Sequence, residues 1–166
     1  MNLNLTFFRR IALIGLATLS LSVAAQTSPP YGVSISIDQA KKAMVAAEAE
    51  ARKNNWQVVI SIVDTGGHQV MLQRLDAQNA SVDIAIGKAR TAVNFRRPSK
   101  ALEDSLAANG SALRFLAVPG VMPLQGGLPI VVDGKVIGGI GVSGVLASQD
   151  EMVAKARQIA REEGFA

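Results

Sequence analysis

Two short turn signals constrain this chain more than any other feature. Asp64-Thr65-Gly66-Gly67 stands between Val58–Val63 and His68–Leu75, and Asp133-Gly134 stands between Leu128–Val132 and Lys135–Val142. In each case residues that tolerate positive φ separate two runs of strand length, which is the pattern of a β-hairpin. Val58–Val63 is a β-branched run of the kind buried in a sheet interior. In the return strand Val70, Leu72 and Arg74 share one face and Met71, Gln73 and Leu75 the other.

Helical periods fill the rest. Ala40, Ala43, Met44, Ala47 and Ala51 recur on one face of a helix over 37–53, opened by a Ser36/Gln39 capping box. A face made mainly of alanine needs a close neighbour, and a sheet is the natural one. Val82, Ala85, Ile86, Ala89, Ala92 and Val93 mark a second helix over 80–95, ended by Arg96-Arg97-Pro98. Ser99 is placed to cap a short helix through Ala107, closed by Asn109-Gly110. Residues 111–126, with Pro119, Gly120 and Pro123, read as irregular, and a loop of this length inside a compact domain is often functional. Ser148 and Glu151 read as a second capping box, opening a last helix to about Glu163. The order α-ββ-α-α-ββ-α predicts an α+β domain with an antiparallel sheet covered by helices. There is no parallel βαβ series and no internal repeat.

The N-terminus has another character. Arg9 and Arg10 precede the apolar run Ile11–Val23, and Val23-Ala24-Ala25 supplies small residues for cleavage. This is the order of a secretory signal peptide over residues 1–25. Thirteen apolar residues fall short of the roughly 20 that span a bilayer, so no stable membrane anchor is expected after cleavage. Residues 26–35 read as a linker and 36–166 as one domain. The leader holds two of the 17 basic residues and none of the 13 acidic ones, so the remainder carries a net charge of +2. It has no long basic run interleaved with aromatics, which argues against nucleic acid as a partner. Export predicts a periplasmic or secreted protein. With no cysteine there are neither disulfides nor thiolate metal sites.

Local chemistry is sparse. Gly139-Ile140-Gly141-Val142-Ser143-Gly144 matches GxGxxG, but only 22 residues follow, with no second strand, so no βαβ unit for a dinucleotide is expected. The stretch reads instead as a strand end where backbones pack closely. His68 is the single histidine, so no metal site is expected. A Ser-His-Asp triad would have only His68 with Asp64, and no nucleophile elbow presents a serine. Lys88, Arg90 and Thr91 fall away from the apolar stripe of the second helix and read as a solvated face. Lys88 and Thr91 are three apart and can meet to hold a carboxylate. Arg74 can add a bidentate clamp.

Taken together, several blocks resemble the GlcG/HbpS family. They are Val63-Asp64-Thr65-Gly66-Gly67-His68, Gln73-Arg74-Leu75-Asp76, Lys88-Ala89-Arg90-Thr91-Ala92, Gly126-Gly127-Leu128-Pro129, Asp133-Gly134, Gly138–Gly144 and Ser148-Gln149-Asp150-Glu151, in family order across roughly 36–162. The resemblance implies a profilin-like antiparallel sheet with helices on its faces, a three-layer sandwich. It implies homo-oligomers built from dimers, such as octamers. It also implies heme as a cofactor or ligand, with His68, Arg74, Lys88 and Thr91 as candidate site residues. Leu146-Ala147 departs from the small residues and glycine common there in the family, which bears on any pocket built at that turn.

Three functions follow. The first is an exported protein binding heme in a buried apolar pocket, for sensing, sequestration or an accessory role. The second is an isomerase or lyase acting on a small organic acid, with Arg74 or Lys88 gripping the carboxylate and His68 or Asp64 moving a proton. The third is a non-catalytic oligomeric accessory to a sensor or transporter, working through an exposed apolar surface.

Overall fold

A computed structural model describes residues 28–108 and 110–157. The expected signal peptide, and the last helix beyond 157, lie outside the described residues. The elements run α1 (Ile37–Lys53), β1 (Val59–Val63), β2 (Gln69–Arg74), α2 (Ala80–Phe95), α3 (Lys100–Ala107), a 3₁₀ segment (Gly110–Ala117), β3 (Gly127–Val132), β4 (Lys135–Ser143) and α4 (Ala147–Ala156). The order is the one the turn signals and helical periods predict. The stretch expected to be irregular contains the 3₁₀ segment, which buries none of its residues.

All four strands pair antiparallel in the order β2-β1-β4-β3. The two hairpins therefore join along β1 and β4, the central strands. Val59–Val63 is buried throughout because both of its faces are covered. On one face Ile60, Ile62, Leu128, Ile130, Ile140 and Val142 pack against the alanine stripe of α1 and against Val153 and Ala154 of α4. On the other, Val59 and Val63 meet Ala85, Ala89 and Val93 of α2. This is the helix–sheet–helix sandwich expected from the resemblance. Each fully buried isoleucine or valine contributes about 1.5–3 kcal/mol relative to exposure.

Glycines set the spacing on the α2 side. A Cβ on Gly141 would stand 2.1 Å from the Ala85 carbonyl oxygen, and one on Gly127 would stand 2.2 Å from that of Lys88. The GxGxxG stretch is thus the close-packed strand end that the sequence suggests. The predicted alternation in β2 is broken by a bulge, where Met71 pairs with Ile62 but Gln69 with Val63. Val70 and Met71 consequently both reach the core beside α1.

Capping follows the sequence at one helix and departs from it at two. The Ser36/Gln39 box forms, with Ser36 Oγ accepting from Gln39 N and Gln39 Oε1 accepting from Ser36 N. Helix α4 begins two residues early, with Leu146 as its N-cap, and it is Gln149 Oε1 that takes the Leu146 N–H. Glu151 instead turns inward to Gln125 and Lys155, so the Ser148/Glu151 box does not form. Ser99 does not cap α3 with its side chain. Its hydroxyl donates to the Leu124 carbonyl at 2.6 Å and accepts the Gly127 N–H at 2.9 Å. No helix among the described residues is long and apolar enough to cross a membrane.

Candidate functional site

The β1–β2 turn presents the histidine. Asp64 Oδ1 accepts the backbone N–H groups of Gly66 (2.8 Å) and His68 (2.9 Å), and Gly67 closes the turn at φ 79°. The second carboxylate oxygen lies 3.2 Å from His68 Nδ1. Desolvation opposes ionisation of Asp64, but the N–H groups of His68 and Gly66 and the His68 ring outweigh it and hold the carboxyl below its ordinary range. A carboxylate on Nδ1 favours the tautomer with the proton there and leaves Nε2 as a lone-pair donor. The His68 side chain is 82% exposed, so that nitrogen faces outward. Two further side chains hold the turn. Ser34 bonds Thr65 at 2.5 Å, and Val33, next to it in the chain, is 89% exposed. Arg90 Nε donates to the Gly67 carbonyl at 2.9 Å.

Arg74 stands at the far end of β2, six residues or about 20 Å along an extended strand. It donates to the Ala77 carbonyl and to Asn79 Oδ1, and it lines a polar cleft with Trp56 and Arg52. The four expected site residues are therefore not brought together.

Lys88 and Thr91 correct the sequence reading most sharply. The solvated face they were expected to form is buried, at 3% and 1% exposure. Lys88 Nζ donates to the Val142 carbonyl (2.9 Å) and to Asp150 Oδ2 (2.8 Å). Thr91 Oγ1 accepts the Met122 N–H at 2.7 Å. Gly127, Gly139 and Gly141 let α2 sink onto the strands, and the segment around Met122 closes over its flank. Both polar groups hold structure and do not meet over a ligand. The buried apolar pocket expected for a porphyrin does not gather these residues either. An apolar cleft, about 290 Å³ and open, runs along Leu128–Val132 with Ala43, Glu151 and Arg157. A ligand of drug size takes roughly 300–1,000 Å³.

The sequence reading missed the inward-facing charges of α4. Asp150 is 2% exposed and its carboxyl is pushed up by burial, against the pull of the Lys88 ammonium and the Val145 N–H. Arg157 donates to the Pro129 carbonyl at 2.5 Å. Their spacing on α4 carries no sign of which strands they will meet; the only hint is their place on the helix's apolar side. Among the described residues no three His, Asp or Glu side chains cluster as a metal site.

Residues 35–158 match the family described as "Haem degrading protein HbpS-like". Protein GlcG of Escherichia coli K12 is 42% identical over 112 residues, covering 67% of this chain and 82% of GlcG. A crystal structure of a double mutant of Streptomyces reticuli HbpS superposes with a TM-score of 0.72 at 33% identity, covering 86% of this chain and 96% of that one. A PduOC:heme complex superposes with a TM-score of 0.70 at 30% identity, covering 77% and 95%. With a match spanning both hairpins, this chain belongs to the HbpS-like (GlcG/HbpS) family.

Proposed function

We propose that this chain is an exported heme-binding protein that holds the ring at the β1–β2 turn. The carrying observation is the His68–Asp64 pair, which leaves an outward Nε2 on a rigid turn. Support also comes from the likeness to a PduOC:heme complex. The residues fit the group in kind. His68 would ligate the iron, Val33 would lie against the ring, and Arg90 would take a propionate, the role first expected of Lys88 or Thr91. When bound, heme supplies iron-centred ligand binding and redox chemistry. The turn is open, so a second copy would complete the enclosure, and this is the part a homo-oligomer would play. Sensing, sequestration and an accessory role are all served by such a site.

An acid–base site for a small organic acid is less well supported. The gripping cations expected beside His68 are elsewhere, Arg74 about 20 Å away along the strand and Lys88 buried against Asp150.

The test is a hemin titration of the purified protein, read at the Soret band, with His68→Ala, Arg90→Ala and Thr91→Ala alongside. A saturable, shifted band at fixed stoichiometry is expected. It should be lost in His68→Ala, weakened in Arg90→Ala and kept in Thr91→Ala wherever that variant folds. A non-saturating response identical in all four proteins would rule the reading out.

A further inference from the structure

The opposite end of the β1–β2 hairpin from His68 carries a cleft of its own, of about 450 Å³. Arg52, Asn55, Trp56, Gln57, Arg74 and Asp76 line it. Three chain passages meet here: the exit from α1, the end of β2 and the loop that leads to α2.

Its two guanidiniums are held from behind. Arg52 donates through Nε and Nη2 to Glu48 Oε1, both at 2.6 Å. Hydrogen bonds from Gln73 and Arg52 keep the Glu48 carboxyl below its ordinary range, so the anchor stays charged. Arg74 donates through Nε to the Ala77 carbonyl and through Nη2 to Asn79 Oδ1, both at 2.8 Å. Among the described residues neither Nη1 has a protein acceptor, and each keeps N–H groups for a guest. Guanidinium forks fixed in this way recognise carboxylates with little further ordering. Asp76 adds the opposite charge at the same cleft. Its backbone sits at φ 50° and Asn55 at φ 55°, so two non-glycine residues in the left-handed region shape the rim. Trp56 and Leu75, both half-buried, supply apolar wall.

We infer that this cleft binds a small carboxylate bearing a hydrogen-bond donor, hydroxyl or ammonium, on the adjacent carbon. The arginines take the carboxylate, Asp76 takes the donor, and the carbon side lies on Trp56 and Leu75. Phosphate, largely a dianion near neutral pH, brings a second negative charge against the Asp76 carboxylate and is disfavoured there. A simple monocarboxylate leaves Asp76 without a partner, which costs affinity when a charged group is desolvated. The inference is independent of the heme reading, because the two sites lie at opposite ends of the hairpin.

Trp56 is the chain's single tryptophan, so its fluorescence reports on this cleft alone. Titration of the purified full chain with L-lactate, L-alanine, propionate and phosphate, paralleled by calorimetry, tests the assignment. L-lactate or L-alanine should saturate, and propionate and phosphate should bind roughly 10-fold more weakly or worse. Which of the two saturates more tightly tells hydroxyl from ammonium. Arg52→Ala should weaken binding roughly 10- to 100-fold, because the charged hydrogen bonds to the carboxylate are lost. Arg52 decides the matter, since its one described side-chain partner is the surface residue Glu48, whereas Arg74→Ala also frees the loop before α2. Asp76→Asn should narrow the gap between L-lactate and propionate, and Lys41→Ala, on the exposed side of α1, should bind as wild type does. No saturation by either donor-bearing acid in both measurements, or an Arg52→Ala affinity equal to wild type, would overturn the inference.

Discussion

Lys88 Nζ and Asp150 Oδ2 meet at 2.8 Å with both side chains 3% exposed, and this pair ties the middle of α2 to the first turn of α4 around the end of β4. The ammonium also donates to the Val142 carbonyl, and Asp150 Oδ1 accepts the Val145 N–H. Two of the three ammonium N–H groups and both carboxylate oxygens are thus used on the protein itself. Removing one partner strands a buried charge. Lys88→Met or Asp150→Leu alone should cost about 3–5 kcal/mol, whereas the double replacement should recover much of that loss. Urea unfolding of the three variants measures it. A double variant that loses the sum of the two single losses would show that the pair is not coupled.

The glycines beneath α2 give a second test. Alanine at Gly141 would place Cβ 2.1 Å from the Ala85 carbonyl oxygen and 2.5 Å from the Ala89 nitrogen, both backbone atoms that move only with the whole helix. Gly141→Ala should therefore cost about 3 kcal/mol or more, at the upper end of overpacking effects. Gly134 sits in the β3–β4 turn at φ 72°, and a Cβ there would meet nothing within 4 Å. Gly134→Asn should change stability by no more than about 0.5 kcal/mol, since asparagine tolerates the left-handed region. Thermal unfolding of the two variants separates a steric need for glycine from a conformational one.

Lys88 and the glycines beneath its helix also show how far the sequence could be read. The hairpins, helix periods and the Ser36 cap depend on neighbours within a few positions, and all were legible. The burial of Lys88 depends on Gly127, Gly139 and Gly141, some 40–50 residues away in the chain. A helical period alone places Lys88 beside the apolar stripe, not under a loop. The cluster of glycines was visible, and it carried the information that a neighbour packs closely; what it lacked was the identity of the helix that would sink. His68 was legible as a turn residue. Its pairing with Asp64 needed only the local turn, and the same holds for Arg74 and Asn79. The Arg52–Arg74 cleft was not legible, because it joins two loop ends that only the sheet brings together.

Asp64 predicts a pH dependence. Its folded carboxyl lies below its ordinary value, held there by the His68 and Gly66 N–H groups. The folded state therefore binds that proton less readily than the unfolded chain, whose aspartates titrate at about 3.9. The stabilisation is present above that value and is lost as pH falls through the folded one. Asp150 acts in the opposite sense, since its folded carboxyl is raised. Asp64→Asn should consequently lose less stability than wild type between pH 5 and pH 3, while matching its fold at pH 7. Urea midpoints at the two pH values decide it, and equal losses in both proteins would remove Asp64 from the acid limb.

The outer edge of β3 predicts an association behaviour. An exposed edge strand offers unpaired N–H and C=O groups to another chain. Here Ser99 N donates to the Gly127 carbonyl and Ser99 Oγ accepts the Gly127 N–H. Pro129 has no N–H to offer, and Arg157 covers its carbonyl. Half the strand is closed by side chains and by proline before any partner arrives. Arg157→Ala uncovers the Pro129 carbonyl, and Ser99→Ala leaves the buried Gly127 N–H without its acceptor, at a cost of about 1–3 kcal/mol. The double variant should scatter light on heating at a lower temperature than wild type, and each single variant should fall between them. If its onset matches wild type while its unfolding midpoint drops, these groups stabilise the fold without guarding the edge.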